Sequence, residues 1–259
     1  MASPADYFPF STIRPGQDKL LQDIDTALSE QKILLANAPT GLGKTATALS
    51  AAIHHALEKK KRVFFLTNRH TQHQLAIETL KQIKIQKGIS VSCVDIIGKR
   101  WMCSQEIAGL FGTDFNEFCK SVVERGECEF YTRVKNKQQL TVEAKKAVQD
   151  LLTAGAKHNQ ELITFCHEQN MCSYEISLAL ARNAAVIIGD YYYLFNPFVR
   201  NNFLAKLEIS LEDIILIVDE GHNLPARITD MVSSTLSSIT LKNAVMEAKK
   251  FGYNGLLFW

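Results

Sequence analysis

Apolar and polar positions alternate in blocks along the first hundred residues. Residues 33–36 (ILLA) form a short apolar run that opens into a Gly-rich turn, and a helical pattern then runs from Lys44 to about Lys59. Residues 63–67 (VFFLT) predict a second buried strand, a helix follows from about His70 to Ile83, and residues 91–97 (VSCVDII) predict a third strand. Strands separated by helices, with no hairpin turns between them, predict a parallel sheet covered by helices. From about Gly98 to Tyr174 the alternation stops, and helical patterns near 104–111, 115–124 and 140–154 are separated by polar stretches such as TRVKNKQQ. The strand pattern resumes with AAVIIGD (184–190) and IILIVDE (214–220), so residues 98–174 read as an insertion into an α/β domain. After Asn223 the chain is predicted helical, and no internal repeat is present.

Composition narrows this picture only a little. With 259 residues, 46% of them hydrophobic, the chain has enough material for one large domain or two small ones. Its 13 Gly and 6 Pro exclude collagen-like and low-complexity classes. The longest purely aliphatic run, Ile214 to Val218, is far short of the ~20 residues that cross a bilayer. The N-terminal MASPADYFPF has neither the basic n-region nor the apolar h-region of a signal peptide. The expectation is a soluble intracellular protein with no membrane partner.

Charge is more informative locally than globally. The 29 Lys and Arg nearly balance 27 Asp and Glu, for a net charge of +2. Between Lys59 and Arg100, however, ten basic residues face only Glu78 and Asp95, so this stretch carries +8 and the remainder −6. Such a segment is either a solvated surface or the footprint of a polyanion. Five of the six cysteines (Cys103, Cys119, Cys128, Cys166 and Cys172) fall in the predicted insertion, and Cys93 lies inside a predicted strand.

Two motifs carry candidate chemistry. Ala38-Pro-Thr-Gly-Leu-Gly-Lys-Thr45 matches a phosphate loop: Thr40, Gly41 and Gly43 lie in a turn whose N–H groups can converge on phosphates, ahead of a helix N-terminus. Lys44 would reach the β- and γ-phosphates of ATP, and the Thr45 hydroxyl would ligate Mg²⁺. Asp219-Glu220-Gly221-His222 follows an all-apolar run predicted to be a central strand, and ligand sites gather at the carboxyl ends of such strands. Asp219 would hold Mg²⁺ through water, and Glu220 would act as general base on the attacking water.

Together these motifs resemble the superfamily-two helicases, whose acidic box reads Asp-Glu-x-His. The resemblance implies that His222 couples nucleotide state to the DNA-gripping elements. Gly221 departs from the usual Ala and adds backbone freedom at that turn. Further segments are similar to the XPD and DinG helicases. Ile13-Arg-Pro-Gly-Gln17 resembles their N-terminal motif, implying that Gln17 contacts the nucleotide base. Thr67-Asn-Arg-His-Thr71 resembles their DNA-contact motif, with Arg69 and Thr71 facing a single strand, and Asn183 to Pro197 (NAAVIIGDYYYLFNP) is similar to the stretch before their acidic box.

The cysteine-bearing insertion lies where this branch holds a [4Fe–4S] cluster. The resemblance assigns Cys103, Cys119, Cys128 and Cys172 as ligands, at spacings of 16, 9 and 44 residues, with Cys166 competing for the fourth position and Cys93 a core thiol. A structural zinc site favours closer ligand pairs than these. Lys99 and Arg100, just before Cys103, would extend the path of a single-stranded or forked DNA, with Arg100 expected nearest both cluster and strand. Tyr191, Tyr192 and Tyr193 are available for base stacking or for core packing.

The expected architecture is therefore a RecA-like P-loop NTPase lobe (1–97 and 175–237), interrupted by a small, mostly helical Fe–S domain (98–174). Residues 238–259 would begin a helical Arch-like insertion. The resemblance implies a 5′→3′ DNA helicase that lacks its second motor lobe here, so that the chain alone binds ATP, Mg²⁺ and DNA without unwinding. Its compartment would be the cytoplasm in a prokaryote, which is favoured, or the nucleus in a eukaryote. Two competing readings stay open: a non-helicase phosphate-loop ATPase with a structural zinc site, and a non-enzymatic, truncated DNA-binding remnant.

Overall fold

A computed structural model describes residues 3–39, 41–105, 112–233 and 236–252, with Thr113 described by its backbone alone. Two compact units are present, residues 1–222 and 223–259. The first contains α1 (Gln17–Ser29), α2 (Lys44–Lys59), β1 (Arg62–Leu66), α3 (His70–Lys87) and β2 (Cys93–Asp95). The segment predicted as an insertion follows, with α4 (Gly112–Glu124), α5 (Glu129–Val134), β3 (Lys135–Asn136), β4 (Gln139–Leu140), α6 (Val142–Ala154) and α7 (Asn159–Glu168), and α8 (Ser173–Ala181) starts at its end. The chain then returns through β5 (Val186–Gly189), α9 (Tyr192–Phe195), α10 (Pro197–Leu207) and β6 (Ile214–Val218). The second unit holds α11 (Leu224–Val232) and α12 (Ser238–Lys250). No helix among the described residues is long and apolar enough to cross a membrane.

The main sheet has the order β2-β5-β1-β6, and every pairing in it is parallel. Parallel strands are covered on both faces, which is why Val63 to Leu66 reads as a continuous apolar run and is fully buried. On one face α2 contributes Leu49, Ala52, Ile53 and Ala56, a 3–4–7 helical spacing, and α3 adds Ala76, Ile77, Leu80 and Ile83. Burying each of the larger of these side chains stabilises the fold by about 1.5–3 kcal/mol. Every residue of α8 except Tyr174 is buried, because α6 and α7 pack on it from the insertion and β2 from the sheet.

Three predicted elements differ. Residues 33–36 form no strand: Ile33 is 93% exposed and Leu35 92%, with no ladder partner among the described residues. The run Ile214–Val218 is a strand, but it lies at the edge of the described sheet rather than its centre, with Leu216 44% exposed. Its apolar composition suits two-sided cover, and nothing described pairs with its outer side. Within TRVKNKQQ the chain makes a small antiparallel hairpin, β3–β4, turned by Lys137 and Gln138 at φ 46 and 71°. Such turns usually carry Asn or Gly, so the residue types gave no signal for it. The helical pattern near 104–111 falls mostly outside the described residues.

The open β6 edge, with Leu216 44% exposed, and the exposed apolar side chains of Ile33 and Leu35 are templates for association between chains. The 259-residue chain is expected to self-associate with rising concentration in analytical ultracentrifugation. Leu216→Lys together with Leu35→Lys should suppress that association, each changing stability by no more than about 0.5 kcal/mol. A wild-type chain that stays monomeric at high concentration contradicts this.

Candidate nucleotide and nucleic-acid site

Because the strands are parallel, their carboxyl ends share one edge, and the segments that leave them carry the candidate chemistry. The phosphate loop reaches this edge from the N-terminal side of α2. Gly43 caps that helix at φ 86°, a left-handed conformation that strains any residue with a Cβ. Gly41 shares it at φ 86°. Lys44 Nζ donates to Ala38 O across the loop at 2.8 Å. Thr45 is buried in the first turn of α2, and Thr40 lies outside the described residues.

Gln17 is buried against this loop. Its Nε2 donates to Leu42 O at 2.6 Å, and its Oε1 accepts from Arg14 N at 2.8 Å. The side chain therefore ties the N-terminal motif to the phosphate loop. A Cβ on Gly43 would stand 2.5 Å from Gln17 Nε2, so these two residues are matched in shape.

The acidic box continues the β6 ladder, with Asp219 N donating to Leu66 O at 2.9 Å. Burial raises the Asp219 carboxyl above its ordinary range, neighbouring Glu220 adds to that, and the Lys44 charge opposes it. The loop lysine and the acidic box thus lie within electrostatic reach of each other. Asp219 Oδ2 is buried with no hydrogen-bond partner, which suits a cation ligand. Glu220 adopts φ 52°, and such a conformation costs a non-Gly residue about 1–3 kcal/mol. Its carboxylate lies 3.4 Å from His222 Nδ1, and His222 is largely exposed.

Tyr191 braces this turn. It is fully buried, and its hydroxyl donates toward the carbonyls of Asp219 and, at 3.1 Å, Glu220. Tyr193 is likewise buried and donates to Ile97 O at 2.8 Å, so only Tyr192 of the three has an exposed ring. The base-stacking option for this cluster is thereby reduced to Tyr192. A buried tyrosine needs a hydroxyl partner, but which carbonyl supplies it cannot be read from spacing.

The segment after β1 starts from buried Thr67, whose N–H bonds Gly189 O at 3.0 Å. Arg69 then caps α3, and Arg69, His70 and Thr71 are all exposed. Lys99 and Arg100 lie in a short 3-10 turn, Lys99–Met102, after β2. Lys99 lies beside the thiols. Burial depresses the Lys99 ammonium, but a hydrogen bond to Cys119 and the charges of Cys119, Glu175 and Cys172 raise it overall. The Arg100 guanidinium stacks on Trp101, 4.7 Å from the ring centroid. Lys99 and Lys206 each lie 5.6 Å from the Tyr174 ring. Lys206, on α10, belongs to no motif and is brought here by tertiary packing alone.

Cys103 ends the 3-10 turn, Cys119 is on α4, and Cys128 and Cys172 cap α5 and α8. Burial raises the Cys103 thiol, with Cys119 and Cys128 as its electrostatic neighbours; burial pushes Cys172 up to about 12, with Cys103 among its neighbours. Cys166 is also pushed up to about 12 by burial, but its polar partner is Ser173, not another thiol. Cys93 is a buried strand residue, likewise pushed up to about 12 by burial.

A tetrahedral zinc site with Zn–S near 2.3 Å needs sulfurs about 3.8 Å apart. Among the described residues only Asp25, His54 and His55 bring three ligand atoms within 4.8 Å. No three of these four thiols bring their sulfurs within 4.8 Å of one another, and four cysteine thiolates are a donor set that iron–sulfur centres use.

A parallel sheet with a phosphate-loop motif and a strand-end acidic box is the arrangement that P-loop NTPases of helicase type share. A family model described as DEAD_2 matches residues 65–241, and the chain belongs to that family, as the N-terminal portion of an XPD-type superfamily-two helicase. It is 25% identical over 237 residues to ATP-dependent DNA helicase XPD of Sulfolobus acidocaldarius, covering 92% of this chain and 37% of that protein. It is 23% identical over 266 residues to the helicase subunit XPD/RAD3 of general transcription and DNA repair factor IIH of Saccharomyces cerevisiae, covering 93% and 32%. A solved structure titled XPD helicase superposes with a TM-score of 0.65 at 22% identity, over 93% of this chain and 39% of that one. A second, titled truncated XPD, gives 0.58 at 21%, over 89% and 59%. The chain thus spans about a third of the length of the curated relatives it matches.

Two outcomes test this geometry. Gly43→Ala should lower stability by about 1–3 kcal/mol in denaturant unfolding. Gln17→Ala in the same chain should recover part of that loss, and strict additivity of the two changes would refute the steric match. A thiol at about 12 is roughly 10⁻⁴ ionised near pH 8. Cys93 and Cys166 should therefore resist iodoacetamide in the metal-free native chain, while half-exposed Cys119 reacts. Rapid labelling of Cys166 would contradict its burial.

Proposed function

We propose that this chain is the nucleotide- and DNA-binding portion of an ATP-dependent 5′→3′ DNA helicase. The observation that carries this is a buried Asp219 carboxylate oxygen with no protein hydrogen-bond partner, close enough to the phosphate loop for the Lys44 charge to act on it. In this reading Lys44 exchanges its bond to Ala38 O for the β- and γ-phosphates of ATP, while the N-terminus of α2 and the loop N–H groups, including those of Thr40, Gly41 and Gly43, receive the remaining oxygens. Thr45 and Asp219 hold Mg²⁺, and Glu220 orients the attacking water. His222, within reach of the Glu220 carboxylate, relays occupancy of the site to the DNA-binding residues. Gln17 keeps the loop and the N-terminal motif in register as the base is bound.

Arg69 and Thr71 contact the backbone of a single strand or fork, and Lys99 and Arg100 extend that path to the insertion. Cys103, Cys119, Cys128 and Cys172 hold a [4Fe–4S] cluster, with Cys166 outside the ligand set. When bound, the cluster supplies a rigid cross-link between four distant chain segments and a redox centre. The grouping of these four thiols and the exclusion of Cys166 from that group support the assignment.

In this reading efficient turnover needs an arginine acting across the cleft, which typically contributes 10³–10⁵ in rate. Lys44→Ala should weaken ATP–Mg²⁺ binding at least about tenfold by calorimetry. Glu220→Gln should retain binding and abolish single-strand-stimulated hydrolysis once the second lobe is joined. Anaerobically purified chain should contain iron and acid-labile sulfide, with cluster loss for Cys172→Ser but not for Cys166→Ser. Vigorous unwinding by the isolated chain, or zinc without sulfide, would overturn this assignment.

A further inference from the structure

The carboxyl end of β2 carries an acidic side chain that neither the nucleotide site nor the thiol group uses. Asp95 is 1% exposed, and a buried carboxyl left without partners costs several kcal/mol. Here both oxygens are engaged, and by two different parts of the molecule. Oδ1 lies 2.5 Å from His73 Nδ1, in the first turn of α3, two residues beyond Thr71. Oδ2 accepts from Asn159 N at 2.9 Å and Asn159 Nδ2 at 2.7 Å, at the first residue of α7 in the insertion, and His158 Nε2 stands 3.6 Å away.

His73 and Asn159 are themselves 2% and 1% exposed, so this is a closed polar network rather than a surface contact. A second bridge joins the same two helices: Lys81 Nζ of α3 donates to Glu161 Oε2 of α7 at 3.1 Å. Both of those side chains are nearly half exposed, so that pair contributes little. The buried carboxyl is the strong junction. Arg69 stands directly before α3 and His70 opens it, and α7 leads through Cys166 to Cys172.

We propose that Asp95 is a positioning residue for the DNA strand. It holds the first turn of α3, and with it Arg69 and Thr71, in fixed register against the cysteine-bearing insertion. Two basic surfaces, one on the lobe and one beside the insertion, then engage a single strand at the same time. Held together, the second contact forms at high effective concentration; allowed to drift, it is lost. This inference rests on the assignment of Arg69, Thr71, Lys99 and Arg100 to DNA.

The test is the salt dependence of oligo-dT binding by fluorescence anisotropy, for wild type, Asp95→Asn and Asn159→Ala, each confirmed as folded by circular dichroism. Asn159→Ala keeps the His73–Asp95 pair and covers the case in which Asp95→Asn does not fold. A network that only stabilises the fold leaves a folded variant's salt slope unchanged. A positioning network loses phosphate contacts, each worth about 0.7 in the slope of log K against log salt for single strands. The expected result is about tenfold weaker binding with a slope reduced by roughly 0.7–1.4. Arg69→Ala should then cost less in the Asn159→Ala background than in wild type. Folded variants with wild-type affinity and slope overturn the proposal. A wild-type chain that does not bind oligo-dT overturns the DNA assignment itself, and this inference with it.

Discussion

β1 hydrogen-bonds to β5 on one side and to β6 on the other, both in parallel, and this double pairing decides where the chemistry sits. Parallel strands need no shared turn, so their carboxyl ends can come from parts of the chain far apart in sequence and still meet at one edge. Thr67, Asp95, Asp190 and Asp219 each follow the last residue of a strand or end it, and all four lie along that edge. The register Leu66 to Val218 sets the acidic box beside the segment leading to Arg69, and the next bond, Asp219 N to Leu66 O, carries the ladder into the box itself.

Buried polar side chains then turn this edge into a defined surface. Gln17 ties the N-terminal motif to the phosphate loop, Tyr191 holds the carbonyls of the acidic box, and Asp95 joins α3 to α7. In each case a side chain removed from water is satisfied by backbone or by another buried group, because a missing partner costs more than the bond contributes. Such groups specify geometry more than they add stability. They connect loops that the apolar core cannot reach, since the core fixes strands and helices and leaves the segments between them free to drift.

The insertion solves a related problem with different means. Its helices are short, and much of its cohesion comes from α8, which is buried between α6, α7 and β2. The four grouped thiols lie on separate elements rather than in one knuckle, so a bound centre would clamp the beginning of the insertion to its end. Burial raises the thiols of Cys103 and Cys172 above their ordinary range.

Local patterns were legible wherever chemistry demands a particular residue at a particular place. The Gly-Lys-Thr of the phosphate loop, the Asp-Glu after an aliphatic run, the β1 and β5 strands and the helix from Lys44 could be read directly, because backbone conformation and burial constrain them residue by residue. Tertiary structure decided what periodicity cannot contain. An apolar run does not state whether both of its neighbours are present, so the exposure of Ile33 and the edge position of β6 were invisible in it. Cysteine spacing left Cys166 and Cys172 as rivals, and only the fold separates the one beside Ser173 from the one beside Lys99 and Cys103. Asp95 reads as one acidic residue in a basic stretch; its partners lie 22 residues before it and 64 after. The sequence by itself determined which groups are chemically competent. Their meeting depends on strand order and helix packing, which follow from burying the apolar surface of the whole chain at once, and no local window holds that information.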